Sequence, residues 1–224
     1  MDVIKSPRRF ARLGVLILDG SGSMGERHPL GISKAEAISQ AVRDLITALK
    51  NHRDSRNFLL TTLVYDDEIY EPSEQSKPPL VPVTWIEELD EYADYNPLRV
   101  SKRGQTAIGD ALQKGFEIAH NFVLQPGDYP PSAVIILMTD GKNNAGRDPL
   151  EVSREIHERI KNEGLTRIRR ICTLGFGDPA DQESLDTELL KAIATRTDPE
   201  ILDTFFVGQD IDKVVGFFFK SVVA

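Results

Sequence analysis

Short apolar segments alternate with amphipathic helical segments along almost the whole chain, and this alternation limits the fold more than any other feature. Leu13–Leu18 and Ala133–Met138 contain no polar residue, and Ile168–Phe176 is a third strand-like segment. Continuous apolar segments of this length are typical of strands covered on both faces, as in parallel sheets. Between them, apolar residues recur three and four positions apart, which predicts helices. The sequence therefore predicts a single doubly wound, Rossmann-like α/β domain with helices on both faces of the sheet.

The predicted sheet is mostly parallel and has about six strands. Phe58–Tyr65 is rich in β-branched and aromatic residues, and Glu68 to Tyr70 is the predicted antiparallel edge strand. Phe205–Val207 is a short last strand. Residues 71–105, rich in proline and acidic side chains, predict a long loop with at most short elements. Because there is no linker or internal repeat, the whole chain, 1–224, is predicted to be one domain with its core at about 10–222.

Capping residues indicate where two of the helices begin. Ser33 followed by Glu36 has the pattern of a capping box, in which side-chain and backbone groups of the two residues satisfy each other. Asp148 and Pro149 have the chemistry of an N-cap and a first helical residue, and Gly164 predicts the end of that helix. Apolar spacing predicts three more helices, which begin near Ile108, near Leu185 and at Ile211.

The charge balance and the single cysteine exclude several classes of protein. Lys and Arg number 27 against 35 Asp and Glu, a net charge of −8, whereas a general nucleic-acid binder needs a concentrated basic face. Cys172 alone permits no intramolecular disulfide, which favours a reducing compartment. The apolar segments are too short to span a bilayer, and the first residues lack a signal-peptide core. We therefore expect a cytoplasmic protein with no nucleic-acid or membrane partner.

The segment Asp19–Gly25, Asp-Gly-Ser-Gly-Ser-Met-Gly, is the candidate functional loop because it follows a strand and precedes a helix. Its glycines fit the dinucleotide-binding pattern G-x-G-x-x-G, but Asp19 would repel a pyrophosphate and the capped helix begins only near Ser33. Ser23 also fits the nucleophile position of a pattern close to G-x-S-x-G. Only one strand precedes the loop, however, and none of the four histidines has a motif context as the base.

A third interpretation treats Asp19, Ser21 and Ser23 as the metal-binding pattern D-x-S-x-S. Alternate positions of an extended loop turn one carboxylate and two hydroxyls to the same side, and these are hard oxygen ligands. Mg²⁺ prefers about six such oxygens, and Mn²⁺ and Ca²⁺ occupy related sites. One loop provides too few ligands, so the others must come from elsewhere in the fold.

Asp140 and Thr106 are the candidates for the remaining ligands. Asp19 and Asp140 each end a buried strand, so parallel neighbouring strands would bring both carboxylates into one crevice at the topological switch point. Thr106, just before the helix that begins near Ile108, can reach the same crevice. Each residue also has a plain structural interpretation: the serines as loop residues, Thr106 as a helix N-cap, and Asp140-Gly141 as a turn. Convergence of three loops at one edge of the sheet favours the metal site.

These motifs resemble those of the von Willebrand factor A domain family, whose metal-ion-dependent adhesion site (MIDAS) combines D-x-S-x-S with a threonine and an aspartate on two further loops. Asp19, Ser21 and Ser23 match the first loop, Thr106 within Gly104–Leu112 matches the second, and Asp140 within Met138–Gly141 matches the third. The resemblance covers about residues 10–222. Two positions depart from the family pattern, with Gly20 in place of a frequent Ser or Thr and Gln105 in place of a frequent Gly.

The resemblance implies a non-enzymatic module that binds an Asp or Glu side chain of a protein partner through a divalent cation, Mg²⁺ first, with Mn²⁺ and Ca²⁺ as alternatives. A narrower likeness, to compact bacterial members associated with tellurium resistance and chemical stress, is carried by the C-terminal segments Asp203–Phe206 and Phe217–Val223. It implies a protein phosphatase and a protein kinase of the same operon as partners. A Mg²⁺-dependent phosphohydrolase that uses the same crevice is the alternative, although the sequence nominates no base or nucleophile.

Overall fold

A seven-stranded sheet runs through the residues that the computed structural model describes, namely 5–178, 185–195 and 203–224. The strands are β1 (Ala11–Asp19), β2 (Phe58–Tyr65), β3 (Ile69–Tyr70), β4 (Val81–Trp85), β5 (Pro131–Thr139), β6 (Ile168–Gly175) and β7 (Phe205–Val207). The helices are α1 (Lys34–Lys50), α2 (Ile108–Leu124), α3 (Pro149–Asn162), α4 (Thr187–Ile193) and α5 (Ile211–Val223). No described helix is long and apolar enough to cross a membrane. The predicted domain bounds also include residues 1–4, 179–184 and 196–202, which lie outside the described residues.

The strand order is β3-β2-β1-β5-β6-β7, and β4 also pairs with β2. β1 is parallel to both β2 and β5, and the β5–β6 and β6–β7 pairs are parallel as well. β3 and β4 are antiparallel to β2. The predicted fold class is therefore confirmed, with seven strands in the described residues where the sequence predicts about six.

All nine residues of β1 are buried, so this strand separates two layers of the core. Leu16 and Leu18 pack in the layer that includes α1 and α5, whereas Val15 and Ile17 pack in the layer that includes α2, α3 and α4. The alternation arises because successive side chains of a strand point to opposite faces of the sheet. Complete burial of a Leu or Ile side chain contributes about 1.5–3 kcal/mol, so both layers stabilise the position of β1.

The predicted starts of α1 and α3 are confirmed by their caps. Ser33 Oγ accepts a hydrogen bond from Glu36 N at 3.2 Å, and Ser33 N donates to Glu36 Oε2 at 2.7 Å, which completes the predicted capping box. Asp148 Oδ1 accepts from Leu150 N at 2.8 Å at the start of α3. Gly164, shortly after the end of α3, has a φ of +64°, a conformation that favours glycine.

The segment 71–105 contains β4 and two short 3₁₀ helices, Ile86–Glu88 and Pro97–Arg99. Side chains of β2 help to hold β4: Thr61 Oγ1 donates to Val81 O at 2.7 Å, and Thr62 Oγ1 accepts from Val81 N at 2.8 Å. These threonines precede Val81 by 20 and 19 residues. The strand therefore depends on distant pairing, which the local pattern of residues 71–105 does not reveal.

Gly109 lets the start of α2 approach the loop that follows β5. A Cβ atom on Gly109 would lie 2.3 Å from Arg147 O, which is closer than such atoms approach in real structures. Gly216 in α5 is a matched comparison, because a Cβ atom there would have no heavy atom of the described residues within 4 Å apart from its chain neighbours and the backbone of its own helix. The missing side chain at Gly109 thus helps to place α2 against the loop of Asp140.

We expect Gly109→Ala to lower the free energy of unfolding by about 1–3 kcal/mol, because the Arg147 backbone must move to admit the methyl group. Gly216→Ala should raise the free energy of unfolding by about 0.5–1 kcal/mol, because alanine has the higher helix propensity. Urea denaturation followed by circular dichroism measures both changes. An increase in stability in both variants would contradict the tight contact at Gly109.

Candidate metal centre

Three loops meet at the edge of the sheet where its parallel strands end. Asp19 is the last residue of β1, and Asp140 directly follows β5. The loop before α2, residues 101–107, contains Thr106 and is called the threonine loop below. Gly22 N donates to Gly104 O at 3.2 Å, which joins the loop after β1 to the threonine loop. The predicted ligands lie on these three loops: Asp19, Ser21, Ser23, Thr106 and Asp140.

A series of short contacts joins the loop after β1 to Asp140. Ser21 N donates to Asp19 Oδ1 at 2.8 Å, which turns the chain immediately after the strand. Ser21 Oγ and Ser23 Oγ are 3.1 Å apart, and Ser23 Oγ donates to Asp140 Oδ1 at 2.6 Å. Asp140 lies 117 residues beyond Ser23 in the chain, so this contact depends on the parallel pairing of β1 with β5.

Thr106 faces the same crevice. A Cβ atom on Gly141 would lie 3.8 Å from Thr106 Oγ1 and 3.9 Å from Ser23 Oγ, so the two hydroxyls flank Gly141. Thr106 N donates to Asn144 Oδ1 at 2.7 Å, and Asn144 N donates to Thr106 O at 3.1 Å, which ties the threonine loop to the loop after β5. The N-cap residue of α2 is Ala107, so helix capping does not account for Thr106.

Asp66 anchors the threonine loop, a role that the sequence motifs do not indicate. Its buried carboxylate accepts hydrogen bonds from four donors, and its carbonyl oxygen accepts one from Ala107 N at 2.9 Å. The four donors are Glu68 N at 2.8 Å, Lys102 N at 2.9 Å, Gly104 N at 3.2 Å and the Tyr70 hydroxyl at 3.2 Å. The position of Asp66 in the sequence is the one feature that could indicate this role, because Asp66 directly follows β2 at the edge of the sheet where Asp19 ends β1.

Asp19 is a fully buried carboxyl group held by three donors. Oδ1 accepts from Ser21 N, and Oδ2 accepts from Thr139 Oγ1 at 2.6 Å. The Tyr65 hydroxyl lies 3.4 Å from Oδ2. Burial, and after it the negative charge of Asp140, raises the pKa of Asp19 to about 6, although the hydrogen bonds from Ser21 and Thr139 oppose the rise. A nearby cation would favour the ionised carboxylate.

Lys34, the first residue of α1, provides a positive charge beside Asp140. Its Nζ atom is 2.8 Å from Asp140 Oδ2 and 2.8 Å from Glu26 Oε2. Burial alone would lower the pKa of Lys34, but its hydrogen bonds to Asp140 and Glu26 raise that pKa, so the side chain is charged at neutral pH. A lysine directly after a helix N-cap looks like an ordinary solvated residue in the sequence, and no motif indicates this contact.

The donor set fits a hard divalent cation. Carboxylate and hydroxyl oxygens are the ligands that Mg²⁺, Mn²⁺ and Ca²⁺ prefer. Neighbouring oxygens around an octahedral ion lie about 3 Å apart when each is about 2.1 Å from the ion. The Ser21–Ser23 and Ser23–Asp140 oxygen pairs are separated by 3.1 and 2.6 Å. In the part of the chain that the structure describes, no three His, Cys, Asp or Glu side chains converge as a metal-binding group, so a site here needs the hydroxyls.

The two other interpretations of the loop after β1 have less support. Gly22–Gly25 forms a short 3₁₀ helix and α1 begins only at Lys34, so the glycines do not open a phosphate-binding helix. For the nucleophile interpretation, Ser23 Oγ would need a histidine as its base, but its hydrogen-bond partners among the described residues are Ser21 and Asp140. The histidines hydrogen bond or pair with other groups: His28 with Gln209 O, His52 with Asp54 N, His120 with Glu163, and His157 with Ser153.

Ser101 accounts for the glycine at position 20. A Cβ atom on Gly20 would lie 2.6 Å from Ser101 Cβ and 2.9 Å from Val64 Cγ1, so there is no room for a side chain. Ser101 Oγ is buried and has no hydrogen-bond partner among the described residues. A serine of the threonine loop therefore lies beside the position where the family pattern frequently has Ser or Thr.

Comparison with known proteins establishes the family. The model of the von Willebrand factor type A domain matches residues 15–218, so this chain belongs to that family. Domains of this family are typically protein-interaction modules that bind a divalent metal at the MIDAS.

Solved structures share the fold at low sequence identity. Proximal thread matrix protein 1 from the mussel byssus matches with a TM-score of 0.61, at 16% identity over 96% of this chain and 48% of that protein. Another structure of the same protein is described as having a zinc-occupied MIDAS motif. PilB minor pilin from Streptococcus sanguinis matches with a TM-score of 0.60, at 14% identity over 94% of this chain and 60% of that protein.

The pilus adhesin SpaC from Lactobacillus rhamnosus GG also matches, with a TM-score of 0.61, at 14% identity over 96% of this chain and 30% of that protein. This chain thus spans 30% to 60% of the length of the three proteins. At such identities the likeness establishes the fold alone.

The raised pKa of Asp19 predicts a pH-dependent change in stability without metal. The unfolded carboxyl group titrates near pH 4, and the folded one near pH 6. Between these values the folded state holds the extra proton, so the free energy of unfolding falls as pH rises. In EDTA, we expect Asp19→Asn to raise the free energy of unfolding at pH 7.5 by an amount on the order of 1–3 kcal/mol, and by clearly less at pH 4.5.

Urea titrations of both proteins across this pH range measure the difference. Asp44→Asn, a substitution on α1, controls for the change from carboxyl to amide itself. A stabilisation by Asp19→Asn that does not change with pH would contradict the raised pKa.

Proposed function

We propose that this chain is a metal-dependent protein-interaction module that binds an acidic side chain of a partner through a divalent cation. The observation that carries the proposal is the hydrogen bond from Ser23 Oγ to Asp140 Oδ1 at 2.6 Å, which closes the D-x-S-x-S loop onto the aspartate after β5. Two oxygen atoms that could both bind a metal, and that belong to residues far apart in sequence, thereby lie in contact at the edge of the sheet. The membership of the family supports the same conclusion.

The residues that would hold the cation are the five predicted ligands: Asp19, Ser21, Ser23, Thr106 and Asp140. We propose Mg²⁺ as the ion, with Mn²⁺ and Ca²⁺ as alternatives, because every donor is a hard oxygen. The zinc-occupied MIDAS of the mussel byssus protein supports a metal at this motif and leaves the choice of ion to experiment. When bound, the cation supplies a positive charge and an open coordination position for an incoming oxygen.

The charges of the site suit an acidic partner. Asp19 and Asp140 contribute at most two negative charges, and the three hydroxyl ligands are neutral, so these residues do not over-neutralise a divalent ion. The chain as a whole has a net charge of −8, which would repel an acidic peptide elsewhere on its surface. The metal centre is thus the place where an acidic side chain would be attracted.

We also propose a setting for this activity. The chain folds as one domain and is located in the cytoplasm. It takes part in a bacterial response to tellurite or chemical stress, together with a protein kinase and a protein phosphatase. The continuous sheet from β1 to β7 supports a single domain, and the free, buried Cys172 fits a reducing compartment. The C-terminal segments Asp203–Phe206 and Phe217–Val223 support the stress-response assignment through their resemblance to that bacterial type.

Removal of one hydroxyl ligand tests the site directly. We expect Ser21→Ala to weaken Mg²⁺ or Mn²⁺ binding by at least about tenfold, since it deletes a ligand oxygen. Ser39→Ala is the matched control, because both serines are 2% exposed and Ser39 lies on α1 with its hydroxyl bonded to Tyr95 N. Isothermal titration calorimetry measures the affinity, and circular dichroism verifies the fold. Equal metal affinity in wild type and Ser21→Ala would contradict the proposed ligand set.

The partner and the reaction class need a second measurement. Co-purification from the native host with Mg²⁺ and with EDTA should recover the partner only when metal is present, and Asp140→Ala should abolish that recovery. Incubation with a generic phosphoester and Mg²⁺ tests the alternative enzyme. Turnover that Ser21→Ala abolishes, together with partner binding that persists in EDTA, would favour a phosphohydrolase.

A further inference from the structure

The side chain of Lys34 enters the candidate metal centre from the start of α1. Its Nζ atom makes two 2.8 Å contacts, one with Asp140 Oδ2 and one with Glu26 Oε2. The Lys34 side chain is 17% exposed and that of Asp140 is 0% exposed, so this ion pair is sheltered from water and only weakly screened. A positive charge of the protein itself therefore contacts one of the predicted ligands.

Lys34 and Ser23 together engage both oxygens of the Asp140 carboxylate. Ser23 Oγ donates to Oδ1, and Lys34 Nζ donates to Oδ2. A divalent ion bound among the hydroxyls has to approach this carboxylate, so the ammonium group and the ion would share one small volume. Two like charges at such a distance repel strongly.

We infer that Lys34 is an internal cation that competes with the divalent ion for Asp140 and thereby sets the metal affinity of the centre. The inference rests on the proposed metal-binding function, because it assigns a further residue of the same site. Without metal, Lys34 neutralises the buried Asp140 carboxylate. When metal binds, the ammonium group leaves Asp140, and the free energy of that ion pair is subtracted from the binding of the ion.

Glu26 makes this exchange physically accessible. Lys34 N donates to Glu26 O at 3.0 Å, so the two residues close the loop between them through the backbone. The Glu26 side chain is 65% exposed and lies at the rim, where it retains the Lys34 ammonium group after that group leaves Asp140. A buried, unpaired charge is therefore avoided in either arrangement.

Replacement of the charge, with the aliphatic stem kept, tests the inference. We expect Lys34→Met to bind Mg²⁺ or Mn²⁺ about tenfold more tightly than wild type, because the competing charge beside Asp140 is gone. Lys50→Met is the matched control, since Lys50 is also an ion-paired lysine of α1 but contacts Glu91 at the other end of the helix. Calorimetric titration with the metal alone measures all three affinities, and the affinity of Lys50→Met should equal that of wild type.

A second readout separates competition from an ordinary structural ion pair. In EDTA, Lys34→Met should unfold at a lower urea concentration than wild type because Asp140 is left without its partner, and saturating Mn²⁺ should reverse this difference. Lys34→Arg keeps the charge and should retain an affinity near that of wild type. This variant also guards against a folding defect in Lys34→Met.

The outcomes distinguish the inference from the function on which it rests. If wild type binds metal and Lys34→Met binds it equally or more weakly, the competition is refuted while the metal centre stands. If neither wild type nor Lys34→Met binds Mg²⁺, Mn²⁺ or Ca²⁺, the proposed function itself is refuted. Tighter binding by Lys34→Met alone, with Lys50→Met unchanged, supports Lys34 as the competing cation.

Discussion

The parallel pairing of β1 with β2 and β5 is the constraint on which the rest of the structure depends. β1 is buried along its whole length and pairs in register, with Asp19 opposite Tyr65 and Ile17 opposite Leu137. When the β1–β5 register is continued by two residues beyond Ile17 and Leu137, Asp19 lies level with Thr139, and the Thr139 hydroxyl donates to the Asp19 carboxylate. A slip of one residue would turn Asp19 to the other face of the sheet. The register that packs the core therefore also positions the candidate centre.

Asp19 and Asp140 are buried carboxyl groups at one edge of the sheet, which is unfavourable unless other groups compensate for them. Asp19 receives hydrogen bonds from the chain itself, from Ser21 N and Thr139 Oγ1. Asp140 receives one from a serine and an ion pair from Lys34. The two acidic groups are thus stabilised by different means, Asp19 by neutral donors and Asp140 partly by a charge. The cation exchange that we propose for Lys34 therefore concerns Asp140, whose partner is a charge.

Local patterns in the sequence were sufficient for most of the fold. The capping box at Ser33 and the N-cap at Asp148 involve neighbouring residues only, so capping chemistry predicts them correctly. The strand Phe58–Tyr65 pairs with distant strands, but its β-branched and aromatic residue types already indicate a strand. β4 escaped clear prediction because Thr61 and Thr62, on a strand far earlier in the chain, satisfy the backbone of Val81. Physical interactions between distant segments leave no periodic mark in either segment.

The same distinction applies to the candidate centre. The D-x-S-x-S pattern and the aspartate after β5 were recognisable because each directly follows an apolar strand. The roles of Lys34 and Asp66 were not recognisable, because they depend on distant contacts. Lys34 contacts Asp140, which is 106 positions away in the chain, and Asp66 contacts Lys102, which is 36 positions away. The predicted ligands follow from residue type and spacing, whereas the contacts of Lys34 and Asp66 are defined only by the completed fold.

The close approach of Ser101 to Gly20 limits which residue types the two positions can hold together. A Cβ atom at position 20 and the Ser101 side chain would occupy the same volume, and that serine belongs to the threonine loop. A serine or threonine at position 20 would therefore require glycine at position 101 or a shift of the threonine loop, and Val64 Cγ1, 2.9 Å from the same Cβ position, would also have to move. Among relatives with this arrangement, the residue types at positions 20 and 101 should therefore co-vary.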